Sequence, residues 1–382
     1  MGAPILVAHV MGKMMGGGVE ATVLNHYRHI DKRAVQFVFV IGSDSTVVPT
    51  DEIESQGGAI EVVPPYKELT GFLSGCRRVF RNRGVDIVHS DINALSPLPL
   101  SAARDAGIGV RIAHSHSTSD PGERLKHVVK TVLRPFSTCS ATHLAACSEV
   151  AGRWLFGDAA FESGRVHLVK NALELDRFAF DAPRREIVRR ELGVDDGCLL
   201  MGQIGRLSYQ KNQTFALDVA AELRGMGKPF KLVFLGDGPE RLALEDKLRE
   251  LGLGDAVAFL GVKVDVAAYY SALDLLLMPS TYEGLGMVAV EAQVSGLPVL
   301  ASDRVPAEAE IVEGLVRRLP LGDAGVWAAN VAARDVTGAA DRAEGAARRC
   351  EELHAAGYDI EDGARELAAW YRSLLEPLRS NQ

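Results

Sequence analysis

The sequence predicts an α/β protein made of two doubly wound, parallel-sheet domains facing across a cleft. Three observations carry this. A chain of 382 residues is long for one core and comfortable for two. Short apolar runs alternate with longer amphipathic segments along its length. The alternation breaks once, between Asn171 and Leu199, where Pro183 and a charged stretch interrupt it. First-half strand candidates are 5–10, 35–41, 85–89, 110–114 and 143–147; second-half candidates are 199–205, 231–235, 257–261, 274–279 and 298–301. All are rich in Val, Ile and Leu on consecutive positions, as strands covered on both faces must be. The expected domains are 1–178 and 179–360. A terminal helix, 361–382, is expected to pack back on the first, with Leu367, Trp370, Tyr371 and Leu374 at helical spacing.

Composition narrows the class. With 47% hydrophobic and 24% charged residues and a mean hydropathy of +0.05, the chain is not a disordered one. No apolar run reaches the roughly 18 residues of a membrane-spanning helix, and the apolar opening is too short for a signal peptide. Five cysteines without a CxxC pair speak against a disulfide framework or a zinc site, and for a reducing cytoplasm. A net charge of −8 disfavours nucleic acid as a partner. That charge is uneven: residues 1–170 hold 18 basic and 16 acidic side chains, the remainder 24 and 34. In the first half, segment 123–134 sets Leu125, Val128, Val129, Val132 and Leu133 on one stripe. Arg124, Lys126, His127, Lys130 and Arg134 lie opposite. An earlier helix has Phe72, Cys76, Val79 and Phe80 inside and Arg77, Arg78 and Arg81 outside. Such faces are either simply solvated or in contact with anionic lipid or an anionic acceptor.

Ligands of doubly wound domains sit at the carboxyl ends of the strands, and the motifs fall there. Glu283-Gly284-Leu285-Gly286 follows a strand and enters an apolar helix carrying Glu291. Two glycines at a helix start expose backbone N–H groups that suit a diphosphate. The two carboxylates are eight residues apart, about 12 Å of helical rise. That is too far for a hydrolase pair but right for one group on a sugar and one on a ribose. In Gly205-Arg206-Leu207-Ser208-Tyr209-Gln210-Lys211, two cations share a strand-to-helix loop and could neutralise a leaving diphosphate. The first such loop, Met11 to Glu20, holds Gly16-Gly17-Gly18 without GxGxxG or GxxxxGK spacing. His114-Ser115-His116-Ser117 closes another strand. Either histidine suits a substrate hydroxyl or phosphate, a structural histidine being the competing reading, and no acidic cluster alongside suggests a metal.

Together these motifs resemble a known family. Gly17-Gly18-Val19-Glu20, His114 to Ser117, Ala146-Cys147-Ser148-Glu149, Lys170-Asn171-Ala172-Leu173 with Asp176-Arg177-Phe178, Gly205-Arg206 with Lys211, Leu235-Gly236-Asp237-Gly238-Pro239, and Glu283-x7-Glu291 occur in the order seen in the retaining glycosyltransferases of family four. These have the two-Rossmann GT-B architecture, and the likeness covers residues 5–320. Within the family it is most similar to transferases of bacterial exopolysaccharide and capsule assembly. The resemblance implies that Arg206 and Lys211 hold the donor diphosphate, that Glu283 contacts the donor sugar, and that the backbone of Gly284, Leu285 and Gly286 contacts sugar and phosphate. It implies Glu291 on the ribose, Gly17 and Gly18 closing over the diphosphate, and His116, with His114 as rival register, near the reacting sugar. Neither metal nor other cofactor is implied. Two departures stand out: Ala172 and Glu174 break the family's Asn-Gly-Ile-Asp linker, and Lys263 stands where Arg is common.

The expected reaction is transfer of a sugar from a nucleotide diphosphate sugar, a UDP-sugar favoured, to a hydroxyl of a glycan, lipid-linked or small acceptor. Alternatives are a sugar-nucleotide epimerase of the same architecture and a nucleotide-sugar-binding protein without turnover. The expected location is the cytoplasm, with peripheral contact on the inner membrane face through Arg124, Lys126, Lys130 and Arg134. The oligomeric state is left open.

Overall fold

The computed structural model describes residues 3–119, 122, 124–195, 197–333 and 339–379, without the side chains of 124–127, 129, 378 and 379. It divides into two compact units, 1–173 with 357–382, and 174–356. The divisions differ from the expected 178 and 360 for a backbone reason. Leu173 N–H donates to Tyr358 O (2.8 Å) and Ile360 N–H to Leu173 O (3.0 Å). The outgoing and returning strands of chain are thus paired at the edge of the first unit.

The first unit holds a seven-stranded parallel sheet: β1 (Ile5–Gly12), β2 (Val35–Gly42), β3 (Ala59–Val63), β4 (Ile87–Ser90), β5 (Val110–Ser115), β6 (His143–Ala146) and β7 (Val166–Leu168). Its order is β3-β2-β1-β4-β5-β6-β7, which reverses between β1 and β4. Alternate residues serve opposite faces. Val7, Phe37, Phe39, Ile87 and Ile112 pack with Tyr27 and with Leu367, Tyr371 and Leu375 of the terminal helix Ile360–Arg379. Ala8, Val10, Val38, Val40 and Val88 pack with Phe72, Val79 and Phe80 of the helix Leu69–Arg83.

The second unit holds six parallel strands: β8 (Leu199–Ile204), β9 (Phe230–Leu235), β10 (Val257–Gly261), β11 (Leu275–Met278), β12 (Val299–Ser302) and β13 (Val316–Leu319). Their order, β10-β9-β8-β11-β12-β13, reverses between β8 and β11. Leu217, Phe234, Leu277 and Trp327 are central to its core. Both units are Rossmann-like. In each, the order reversal opens a crevice at the carboxyl ends of two neighbouring strands, the place where such sheets take ligands.

Two expectations need correction. The stripe on the helix Arg124–Leu133 does not become core throughout: Val128 and Val132 are 56% and 61% exposed, and Phe136 just beyond is 55% exposed. On the basic face of Leu69–Arg83, Arg78 is exposed, while its neighbours have partners. Arg77 pairs with Asp105 (2.6 Å), Arg81 donates to Asp105 O (2.8 Å) and Arg83 pairs with Glu61 (2.6 Å).

Candidate active site

The loops after β8, β9 and β11 hold the second unit's candidate residues. Glycine is what allows the first two loops to touch. A Cβ on Gly236 (φ +135°) would strike the Gly205 carbonyl, and one on Gly238 would strike the Leu207 backbone. Leu207 N–H donates to Asp237 O (3.0 Å) and Gly205 N–H to Leu235 O (2.9 Å), closing the seam. After β11, Gly286 takes φ +96° immediately before the helix Met287–Val294, and a Cβ there would meet Met278 Cε at 2.7 Å. Leu285 is buried just ahead of this turn.

These turns bring Lys211 and Glu283 together. Lys211 Nζ lies 2.6 Å from Glu283 Oε1, with the carboxylate side chain 7% exposed and the lysine 19%. Gln210, which sequence reasoning did not single out, donates to Tyr282 O (3.1 Å) and Glu283 Oε2 (3.3 Å), while Thr281 N–H donates to Gln210 O (2.8 Å). Two loops far apart in sequence are thus cross-linked around one ion pair. Arg206 is exposed at the start of the same loop as Lys211. Glu291 lies further along the helix, where it accepts the Tyr270 hydroxyl (2.5 Å). Burial pushes its carboxyl up to about 7, against the opposing pull of Tyr270, Lys211 and Arg177.

In the first unit, Glu20 caps its own helix, Gly18–His29, accepting from Met15 N–H (3.0 Å) and from Gly17 N–H. The backbone demand for glycine falls on Gly16 (φ +76°). Gly18 has open space where a Cβ would stand. His116 and His114 are both buried, with ring centroids 3.8 Å apart. Around them lie three groups the sequence reading missed, Asp91, directly after β4, with His9 and His89, and Tyr371, which was expected only as a packing residue. Asp91 Oδ1 lies 3.0 Å from His116 Nε2 and Oδ2 lies 2.9 Å from His9 Nδ1. A histidine in each of three neighbouring apolar strands was the available signal, since buried imidazoles require partners.

The absence of an acidic group beside the histidines is therefore corrected. His89 Nε2, Asp91 Oδ1 and His114 Nδ1 lie within 4.8 Å of one another, a spacing that could hold a cation. Their geometry is that of hydrogen bonding, with His89 Nε2 and His114 Nδ1 only 2.9 Å apart. Of the basic residues expected to meet an acceptor or a membrane, Lys130 donates to Thr118 O (3.0 Å) and Arg134 to Arg153 O (3.4 Å). The side chains of Arg124 and Lys126 lie outside the described residues.

Comparison with known proteins defines the class. Residues 16–177 match Glycosyltransferase Family 4 and residues 184–356 match Glycosyl transferases group 1. EpsF of Bacillus subtilis (strain 168), itself assigned to the glycosyltransferases, is 37% identical over 333 residues, 85% of this chain and 86% of that one. The chain belongs to the family-four glycosyltransferases. Among solved structures, Anabaena Alr3699/HepE in complex with UDP and glucose is similar with a TM-score of 0.78 at 20% identity, covering 96% of this chain and 99% of that one. Sucrose-phosphate synthase from Thermosynechococcus elongatus is similar with a TM-score of 0.77 at 18% identity, covering 97% and 99%. These likenesses establish the GT-B fold.

Proposed function

We propose that the protein transfers a sugar from a nucleoside diphosphate sugar, a UDP-sugar favoured, to a hydroxyl of a lipid-linked or cell-surface glycan intermediate, with retention at the anomeric carbon. The observation that carries this reading is the Lys211–Glu283 pair between two glycine-shaped loops at the second sheet's switch point. The chemical difficulty in such a transfer is the negative charge that develops on the departing diphosphate. Lys211 and Arg206, with the amides of Gly284 to Gly286, are the groups assigned to it, in place of a metal ion. A fixed cation or donor at such a site is worth about 2.7–4 kcal/mol. Glu283 takes the sugar hydroxyls and Glu291 the ribose. Ligand entry then means exchanging the Lys211–Glu283 pair for contacts with the donor.

A polysaccharide-assembly role is supported by the likeness to the amylovoran biosynthesis glycosyltransferase AmsD of Erwinia amylovora, 34% identical over 110 residues, and a uridine donor by the UDP and glucose held by the structurally similar HepE. Location in the cytoplasm is part of the same proposal. Within the described residues, no helix is long and apolar enough to cross a membrane. The test is a thermal-shift screen of nucleotide sugars, followed by nucleotide release and by NMR of the product's anomeric configuration. Inversion would remove retention from the proposal. Isomerised donor without transfer would establish the epimerase alternative.

A further inference from the structure

The buried polar groups of the first unit form one hydrogen-bond chain whose direction follows from its starting point. Asp91 is that point. Burial alone would raise its pKa, but the imidazoles of His89 and His9, with hydrogen bonds from His116 and His9, hold it well below the ordinary carboxylate value. An ionised carboxylate only accepts. Nδ1 of His9 therefore donates to Oδ2, and Nε2 of His116 donates to Oδ1. With a single ring proton, the one at Nδ1, His9 has a lone pair at Nε2, which then accepts from the Tyr371 hydroxyl (3.2 Å). That hydroxyl has then given its proton and accepts from His89 Nδ1 (2.7 Å). His89 Nε2 is left as an acceptor for His114 Nδ1–H (2.9 Å). Burial pushes His89 down to about 3 and His114 well below its ordinary value, so neither ring carries the second proton that would reverse the chain.

Both branches end on ring nitrogens that must accept. His116 Nδ1 and His114 Nε2 are buried and have no hydrogen-bond partner among the described residues. The two rings are tilted by 34° to one another, and Asn93 Oδ1 fixes their loop by accepting from His116 N–H (2.7 Å) and Ser117 N–H (3.3 Å). Asn93 holds φ +53° to do so. Unpaired buried acceptors are costly, and here there are two side by side at the carboxyl end of the sheet.

We infer that Asp91 is a positioning residue that sets the tautomers of His116 and His114, so that both present acceptor nitrogens to the hydroxyls of a sugar or other polyol. An acceptor-only phosphate or carboxylate finds no donor in this pair. The ligand class rests on the glycosyl-transfer reading; the tautomer assignment does not.

The test begins with the full chain labelled with 15N-histidine, whose two-bond 1H–15N correlations report tautomers at pH 7.5. His116 is expected as the Nε2–H form, and His9, His89 and His114 as Nδ1–H forms. A His116 Nδ1–H form, or a reversed His9–His114 branch, overturns the inference. Tyr371→Phe separates the branches: His89 and His114 should lose a single tautomer while His116 keeps its own. In Asp91→Asn the amide donates as well as accepts, so at least one attached ring should reverse.

With whichever of UDP-glucose, UDP-N-acetylglucosamine and GDP-mannose the wild type turns over, Asp91→Asn should lower kcat at least about 30-fold with donor KM within about twofold. Its kcat/KM profile against pH should differ from that of the wild type, because the buried carboxylate 3.0 Å from His116 Nε2 is gone. His9 on β1, His89 on β4 and His114 on β5 remain around it, with His26 of the first helix also exerting repulsion on the cluster. Unchanged tautomers and an unchanged profile refute the role. Glycerol, the polyol probe, should shift both acceptor nitrogens upfield, and unmoved shifts refute the ligand class. No turnover of any donor by the wild type would refute the transferase reading, leaving the tautomer spectra to decide this one.

Discussion

The two switch points are built from opposite materials. In the second unit, charge is kept at a partly open site: a lysine 19% exposed on a carboxylate 7% exposed, with Arg206 exposed on the same loop. In the first unit, one carboxylate and four imidazoles are sealed, and two of the rings are driven neutral by burial. An open charged pair can exchange partners when an anion arrives, since water shares the cost. A sealed neutral network cannot move charge cheaply, but it can fix which nitrogen carries a proton. Under the proposed function, the second unit stabilises the leaving group and the first orients hydroxyls.

The largest expected effect tests the charged half. Lys211→Ala should lower nucleotide release about 100- to 1,000-fold, the value of a fixed donor on a developing anion. It also leaves Glu283 buried without its cation, so circular dichroism and thermal unfolding must accompany the kinetics. Near-normal turnover in a folded variant would end the assignment of Lys211 to the diphosphate.

A pair of glycines comes next, one in each unit. Gly238→Ala forces a Cβ into the Leu207 backbone and should cost about 3 kcal/mol, read by urea unfolding. Gly18→Ala meets open space at a non-strained backbone and should change stability by less than about 0.5 kcal/mol. If the first glycine loop approaches the diphosphate, Gly18→Ala should still slow turnover. Unchanged rates in Gly18→Ala would reduce that loop to a turn.

Much of this arrangement was legible in the sequence. Ten runs of consecutive apolar residues marked the ten strands with the greatest burial, and the motifs fell after them. The three strands that escaped are β3, β7 and β13, all at sheet edges. An edge strand is covered on fewer sides, so Ala59–Val63 is mostly half-buried and Val316–Leu319 carries Arg317 and Arg318. Lys211 and Glu283 were both legible, but their contact across 72 residues was not, because only the β8–β11 adjacency creates it. Asp91 was hidden for a different reason. One acid after a strand is unremarkable until three strands bring histidines around it.

A smaller effect concerns protonation of Glu291. Its folded pKa of about 7 stands above the ordinary 4.5, so between those values the folded protein binds more protons than the unfolded chain. Stability contributed by this group is present below about 4.5 and is lost as pH rises through about 7. Glu291→Gln removes the dependence and should gain about 2–3 kcal/mol on the wild type between pH 5 and pH 8. The same variant should weaken donor binding at pH 8, where the wild-type carboxylate accepts from ribose. Parallel stability curves across that pH range would show that burial does not hold the carboxyl neutral.

The smallest effect on stability belongs to the apolar residues left uncovered on the first unit. Val128, Val132 and Phe136 are each more than half exposed, so replacing the two valines by serine should change stability by less than about 0.5 kcal/mol. Their place beside Lys130 and Arg134 suits contact with an anionic lipid surface, although those cations already donate to Thr118 O and Arg153 O. That prior engagement lowers the charge contribution and makes the apolar contribution the better probe. Co-sedimentation with vesicles of anionic phospholipid at low salt should fall several-fold in the double serine variant if the face meets a membrane. Equal sedimentation of both proteins would remove the membrane from the proposal and leave the tethered cations as structural elements of the first unit.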